Sequence, residues 1–172
     1  AVKDEQLKMQ LLSSAKNRAE NIMIVDLLRN DLGKIARTGS VKVLSLCEAQ
    51  SYNSVHHLVS TIEAQCRTDM NPLDLFLSCF PGGSITGAPK LESMRIINEL
   101  ELCSRGIYCG SIVYFSRHGR FDSTIAIRTL TAKNNLIHLA AGGGIVIDSD
   151  CEEEYRECYI KIKAIIDGLK EG

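Results

Sequence analysis

The sequence predicts an α+β fold, antiparallel sheets packed with helices. Two observations carry this reading. Helical patterns open and close the chain, and the extended stretches between them come in neighbouring pairs joined by short turns instead of alternating singly with helices. The first helical pattern covers residues 4–28, where Leu7, Leu11, Ala15, Ala19, Ile22 and Val25 recur at three- and four-residue steps. Asn30-Asp31-Leu32-Gly33 reads as its stop signal. Extended stretches are expected at residues 41–47 and 52–62. Asn71-Pro72 then opens a short helix to about Phe80, with Pro in its first turn. Residues 81–90 are irregular, and Pro89 opens a helix whose Leu91, Met94, Ile97 and Leu100 share a face. Strands are expected at residues 112–116, 123–131, 136–140 and 145–147, with turns at His118-Gly119 and Asn134-Asn135. Ser149 or Asp150 is placed to cap a closing helix over residues 152–169.

Composition narrows the function. The 172 residues carry 20 Lys+Arg against 21 Asp+Glu, a net charge of −1, and are 45% hydrophobic and 24% charged. Such a chain is globular rather than disordered, of a length suited to one domain, and it lacks the basic excess of a nucleic-acid binder. No apolar run approaches a membrane span and no signal peptide opens the sequence, so no membrane partner and a cytoplasmic location are expected. The seven cysteines are odd in number and form no C-x-x-C pair. They are read as mostly buried free thiols in a reducing compartment. The chain opens at Ala1 without Met, already within a helical pattern, which reads as a start inside a longer protein.

Glycine-rich stretches invite a nucleotide reading, which the spacing excludes. Gly83 to Gly87 is followed by Ala88-Pro89-Lys90-Leu91 where a P-loop needs Gly-Lys-Ser/Thr, and Gly142-Gly143-Gly144 lacks the G-x-G-x-x-G spacing. These glycines offer tight turns, or backbone amides for an anionic ligand. On the closing helix, Glu154 and Glu157 stand at i and i+3, with Lys161 one turn beyond. Acidic residues in a first turn suit the helix dipole, and two carboxylates on one face also form half of a hard-cation site suited to Mg²⁺. Glu20 precedes the apolar Ile22-Met23-Ile24-Val25 and is either a solvated helix residue or a partly buried carboxylate needing a cation. Asp26, Arg29, Asn30 and Asp31 read as a polar network at a helix end. His56 and His57, adjacent in an extended stretch, point to opposite faces, so one of them faces a buried side or a cavity. Arg128 alternates with apolar residues in 125–130, and an inward Arg there requires a carboxylate partner. Together these groups suit a small polyanion.

Longer motifs carry a resemblance. Ala19-Glu20-Asn21-Ile22-Met23-Ile24-Val25-Asp26-Leu27-Leu28-Arg29-Asn30-Asp31, Val55-His56-His57-Leu58-Val59-Ser60, and Pro81-Gly82-Gly83-Ser84-Ile85-Thr86-Gly87-Ala88-Pro89-Lys90 resemble signatures of the chorismate-utilising enzymes. So do Ile127-Arg128-Thr129, Ala141-Gly142-Gly143-Gly144-Ile145-Val146-Ile147-Asp148-Ser149 and the Glu154/Glu157 pair. That family comprises anthranilate synthase component I, aminodeoxychorismate synthase component I and the isochorismate and salicylate synthases. The match is collinear over essentially the whole chain, and it implies the C-terminal portion of a chorismate-binding catalytic domain whose N-terminal portion is absent. It further implies Mg²⁺ as cofactor, held by Glu20, Glu154 and Glu157 against the ring carboxylate of chorismate. His57, not His56, matches the histidine that assists departure of the C4 hydroxyl. Tyr108 and Arg128 match positions at the enolpyruvyl carboxylate, Lys161 a lysine near the ring carboxylate, and Ser84, Gly142, Gly143 and Gly144 further carboxylate contacts. Thr86 and Lys90 read as structural.

Within the family, Gly82-Gly83-Ser84-Ile85-Thr86, Gly110-Ser111-Ile112 and Gly142-Gly143-Gly144 resemble the aminodeoxychorismate synthase branch, of the para-aminobenzoate and folate pathway. The resemblance then implies chorismate as substrate and ammonia from a glutamine amidotransferase subunit. It also implies a nucleophilic lysine in a Pro-Ile-Lys-Gly-Thr motif that this sequence does not contain, so the 172 residues alone are expected to be inactive. Three other readings stay open here: the anthranilate synthase branch, a catalytically incomplete Mg²⁺-dependent chorismate-binding fragment, and a Mg²⁺-binding domain for another polyanion.

Overall fold

The computed structural model describes residues 2–52, 55–147 and 149–170. Ala1 and the Asp148 of the glycine motif lie outside the described residues, as do Asn53 and Ser54 of the second extended stretch. The chain forms two compact units, Ala1–Leu100 and Glu101–Gly172.

The first unit begins with two helices where periodicity predicted one. Helix α1 spans Val2–Ser13 and α2 spans Ala15–Ile35. Ser14 takes an extended conformation between them, and its hydroxyl accepts the Asn17 amide at 3.3 Å. This is an N-cap, which satisfies one of the amides that a helix start leaves open. At its other end α2 overruns the expected stop. Gly33 sits in the helix interior at a cost of only about 1 kcal/mol, while Ile35 is buried.

Strands β1 (Lys42–Ser51) and β2 (His56–Glu63) pair antiparallel, with the register shifting between Val43 and Ser45 and again between Ser45 and Glu48. Cys47 lies in the second shift with φ +54°, the left-handed conformation that a β-bulge imposes. Asn71 caps helix α3 (Pro72–Cys79) by accepting the Asp74 amide at 2.9 Å, with Pro72 in the first turn as predicted. Residues 81–90 then form a loop containing a 3₁₀ turn, Gly83–Ile85, and lead into α4 (Lys90–Leu100).

A buried ion cluster anchors this loop. Asp31, 2% exposed, receives Lys34 at 2.9 Å and Lys90 at 2.5 Å. Of the residues expected to form a polar network at the helix end, Asp31 joins this cluster with Lys90, which takes the structural role expected of it, while Asp26 pairs separately with Arg29 at 3.0 Å. Thr86 likewise bonds within the loop, donating to the Gly82 carbonyl at 3.0 Å. Gly83 packs so closely that a Cβ there would stand 2.8 Å from Leu27 Cδ1.

The second unit carries two hairpins and a helix. Strands β3 (Ser111–Phe115) and β4 (Phe121–Ile125) pair antiparallel, as do β5 (Leu130–Lys133) and β6 (Leu136–Leu139). Asn134 and Asn135, at φ +52° and +59°, make the two-residue turn between β5 and β6. Asparagine tolerates that conformation, so this turn is legible from sequence. Two expected strands fail. The stretch 123–131 breaks between Ile125 and Leu130, and residues 145–147 form no strand. Helix α5 spans Cys151–Lys170. Asp150 caps it, its Oδ1 accepting the amides of Glu152 and Glu153 at 3.1 and 3.0 Å.

The cysteines depart from expectation. All seven are free, but only Cys47 and Cys109 are buried, while Cys66, Cys103 and Cys151 are exposed. No helix among the described residues is long and apolar enough to cross a membrane.

The ion cluster yields a stability prediction. Lys90→Met leaves the Asp31 carboxylate buried against Lys34 alone, whose side chain is 57% exposed. Urea unfolding of the whole protein is expected to show a loss of about 3 kcal/mol, whereas Lys34→Met costs less than about 1 kcal/mol. Equal losses from the two substitutions would contradict this account of the cluster.

Candidate functional site

Six of the residues singled out from sequence come together in the second unit. Glu154, Glu157 and Lys161 lie on one face of α5, at i, i+3 and i+7, and Gly142 and Gly143 cross that face. A Cβ placed on Gly143 would stand 3.0 Å from Glu154 Oε2 and 3.6 Å from Glu157 Oε1. The two carboxylates thus converge on a single point of the backbone, and only a residue without a side chain leaves that space open. Lys161 ties the ends of this arrangement. Its Nζ donates to the Gly142 carbonyl at 3.1 Å and pairs with Glu157 Oε1 at 2.5 Å. On the other side of Gly142 stands Tyr108, whose hydroxyl would lie 2.8 Å from a Cβ there. Gly144 continues the same irregular backbone.

Glu154 is 7% exposed. Its Oε1 accepts the Ser149 hydroxyl at 2.7 Å, and Ser149 Oγ in turn accepts the Val146 amide at 3.1 Å. Ser149 therefore closes the loop onto the carboxylate while Asp150 does the capping. Position in the first turn of α5 also favours the negative charge.

Tyr108 sits in the turn before β3. Cys109, at φ +64°, donates its amide to the Ala126 carbonyl at 3.0 Å, and Ala126 donates back to Gly110 at 2.9 Å. The Arg105 guanidinium lies 5.9 Å from the Tyr108 ring centroid. Burial, reinforced by the neighbouring Cys109 thiol, pushes the Tyr108 phenol up to about 12. At neutral pH it is a hydrogen-bond donor, which suits a carboxylate ligand. Arg128 departs from its expected setting. It is exposed, in a bend between β4 and β5 with φ +52°, and not inward on a strand. A non-glycine residue held in that region is uncommon and marks a backbone set by its surroundings.

The remaining candidates lie in the first unit. Glu20 is half-buried on α2, as its greasy neighbours suggested, and Ser84 is exposed within the 3₁₀ turn. The two histidines separate as strand alternation requires. His56 Nδ1 lies 2.9 Å from Ser51 Oγ and its Nε2 lies 3.0 Å from Asp4 Oδ1 of α1, so His56 is the structurally engaged member. His57 points to the opposite face, with its ring edge-on to Tyr52 at 5.8 Å between centroids.

An open groove of about 610 Å³ runs beside Ala19, Ile22, Met23, Leu27 and Ala88. Its wall offers no cation to a polyanion. Among the described residues no three His, Cys, Asp or Glu side chains gather into a ready metal cluster. The pair at Gly143 nevertheless suits a hard divalent cation, since its donors are carboxylate oxygens and a side-chain-free cradle lies between them. Sequence reasoning passed over Asn21, Ser60 and Cys47, which bond one another across α2 and the β1–β2 hairpin. No local pattern signals that contact, because 39 residues separate Asn21 from Ser60.

The family model for chorismate binding enzymes matches residues 1–167, and the chain belongs to that family. It is 52% identical over 167 residues to aminodeoxychorismate synthase component 1 of Escherichia coli (strain K12), covering 97% of this chain and 37% of that protein. To the chloroplastic aminodeoxychorismate synthase of Arabidopsis thaliana it is 50% identical over 168 residues, covering 98% of this chain and 18% of that protein. The crystal structure of anthranilate synthase component I from Streptococcus pneumoniae TIGR4 superposes with a TM-score of 0.87 at 42% identity, over 95% of this chain and 38% of that one. The chain thus spans little more than a third, or less, of each of these relatives.

The tyrosine supplies the pH prediction for this site. Its folded value lies above the ordinary value of 10.0, so the folded state keeps a proton that the unfolded state releases. The resulting stability is complete below pH 10 and falls as pH rises from 10 toward 12. Phenolate absorbance of the whole protein, wild type minus Tyr108→Phe, is expected to show one group titrating near pH 12. A difference titration centred at pH 10 would refute it.

Proposed function

We propose that the protein to which this chain belongs is an aminodeoxychorismate synthase component I. It converts chorismate and ammonia to 4-amino-4-deoxychorismate, with the ammonia supplied by a glutamine amidotransferase subunit. The convergence of Glu154 and Glu157 on Gly143, between Tyr108 and Lys161, is the observation that carries this reading. Greater identity to aminodeoxychorismate synthases than to the structurally matched anthranilate synthase supports the choice of branch.

In this reading Glu154 and Glu157 would hold Mg²⁺, and the family motif around Glu20 assigns that residue to the same ion. The bound ion supplies fixed positive charge toward the ring carboxylate of the substrate. Lys161 adds a second cation near that carboxylate and, through Gly142, keeps the loop in place. Tyr108 donates its phenolic proton to the enolpyruvyl carboxylate, and the Arg128 guanidinium pairs with the same group. Ser84 and the backbone of residues 142–144 complete the carboxylate contacts. His57 delivers a proton to the C4 hydroxyl as it leaves, a general-acid role that imidazole fills near neutral pH. The nucleophilic lysine of this branch lies outside these 172 residues, and the chain by itself is expected to bind without turnover.

Product analysis separates the branches. The whole protein given chorismate, ammonium and Mg²⁺ is expected to form 4-amino-4-deoxychorismate, and His57→Ala is expected to lower kcat about 10²- to 10⁴-fold. Formation of anthranilate with release of pyruvate would assign the protein to the other branch instead.

A further inference from the structure

Asn21 immediately follows Glu20 in α2, and Leu58 immediately follows His57 in β2. The Asn21 amide nitrogen donates to the Leu58 carbonyl at 3.1 Å. Its Oδ1 accepts the Ser60 hydroxyl at 2.5 Å and the Cys47 thiol at 3.4 Å. The circuit closes through the bulge in β1. The register shift between Ser45 and Glu48 takes Cys47 out of the ladder, and its amide is accepted by Ser60 Oγ at 2.9 Å. A buried amide displaced from a ladder must find another acceptor, and here that acceptor is the hydroxyl that also holds Asn21. The two ends of one carboxamide thus join the residue after the proposed metal ligand to the residue after the proposed acid.

We infer that Asn21 is a positioning residue that fixes α2, and with it Glu20, against β2, and with it His57. The inference rests on the proposed roles of Glu20 and His57. Strand alternation puts the side chains of Leu58 and Ser60 together on the face opposite His57, so Asn21 acts through the strand and not by touching the imidazole. Leucine in its place keeps the branching and the number of side-chain heavy atoms but has neither donor nor acceptor, and the helix is then free to shift along the strand.

The test uses the whole protein with chorismate, ammonium and Mg²⁺. Asn21→Leu is expected to lower kcat about 10- to 100-fold, and to raise the Mg²⁺ concentration giving half-maximal rate, with KM for chorismate changed less than about threefold. Ser60→Ala, which removes one tie, gives a smaller loss in the same direction and stands in should Asn21→Leu fail to fold. Ser60→Thr, which keeps the hydroxyl, recovers most of the rate. Ser40→Ala is the control. It removes a hydroxyl that donates to the Arg37 carbonyl at 2.7 Å in the same unit, and leaves kcat unchanged. A second readout needs no turnover: the His57 Cε1–H resonance moves in Asn21→Leu and in Ser60→Ala, while that of His138 stays.

Loss of kcat with a displaced His57 resonance supports the inference. Variants that lose thermal stability while kcat and the His57 resonance stay at wild-type values overturn it, leaving Asn21 a merely structural tie. A displaced resonance in a protein that does not turn over chorismate sinks the proposed function and leaves the positioning intact.

Discussion

Two carboxylates taken out of water constrain this molecule more than any other feature. Among the described residues, Asp31 and Glu154 are the buried charged side chains, one in each unit. A buried carboxylate without compensation costs several kcal/mol, so each dictates what surrounds it. Asp31 draws in Lys34 and Lys90, and Lys90 brings the end of the loop that carries Ser84. Glu154 draws in Ser149, and Ser149 closes the loop that carries Gly142 to Gly144. In both units a helix-borne acid holds down a glycine-rich loop.

This shared device separates the residues that fix each loop from those left exposed on it. Lys90 and Thr86 are consumed within the first loop, and Ser149 within the second, leaving Ser84 exposed in the one and the backbone of residues 142–144 exposed in the other. The glycines are there for space as much as for flexibility. Gly143 leaves room between two carboxylates, and Gly83 lets its loop lie against Leu27. The proposed chemistry follows from that division, because ligand carboxylates need rigid donors and a cation, not a deformable surface.

Local chemistry was legible in the sequence and distant closure was not. The Asn134-Asn135 turn, the Asn71 cap with Pro72 and the acidic start of α5 each follow from a few adjacent residues. Periodicity alone ran past Ser14, because a cap interrupts the chain without disturbing the spacing of apolar residues. It also stopped α2 early, since the weight given to Gly33 ignored the burial of Ile35 beyond it. The strand expected through Arg128 failed for a different reason. Its apolar alternation is real, but the backbone there is set by pairing of Ala126 with Cys109 and Gly110. The site itself was read residue by residue through family motifs. Neither spacing nor composition could have shown that Gly143 lies between Glu154 and Glu157, or that Asn21 reaches Ser60, because both depend on where the chain returns.

The central claim is that the Glu154/Glu157 pair holds a divalent cation through which chorismate is recognised. Thermal unfolding of the whole protein with saturating chorismate, with and without Mg²⁺, tests it most directly. The account predicts that chorismate raises the midpoint by about several degrees when Mg²⁺ is present, and that the rise vanishes in chelator or in Glu154→Gln. An equal rise in chelator, or in the substituted protein, would contradict it.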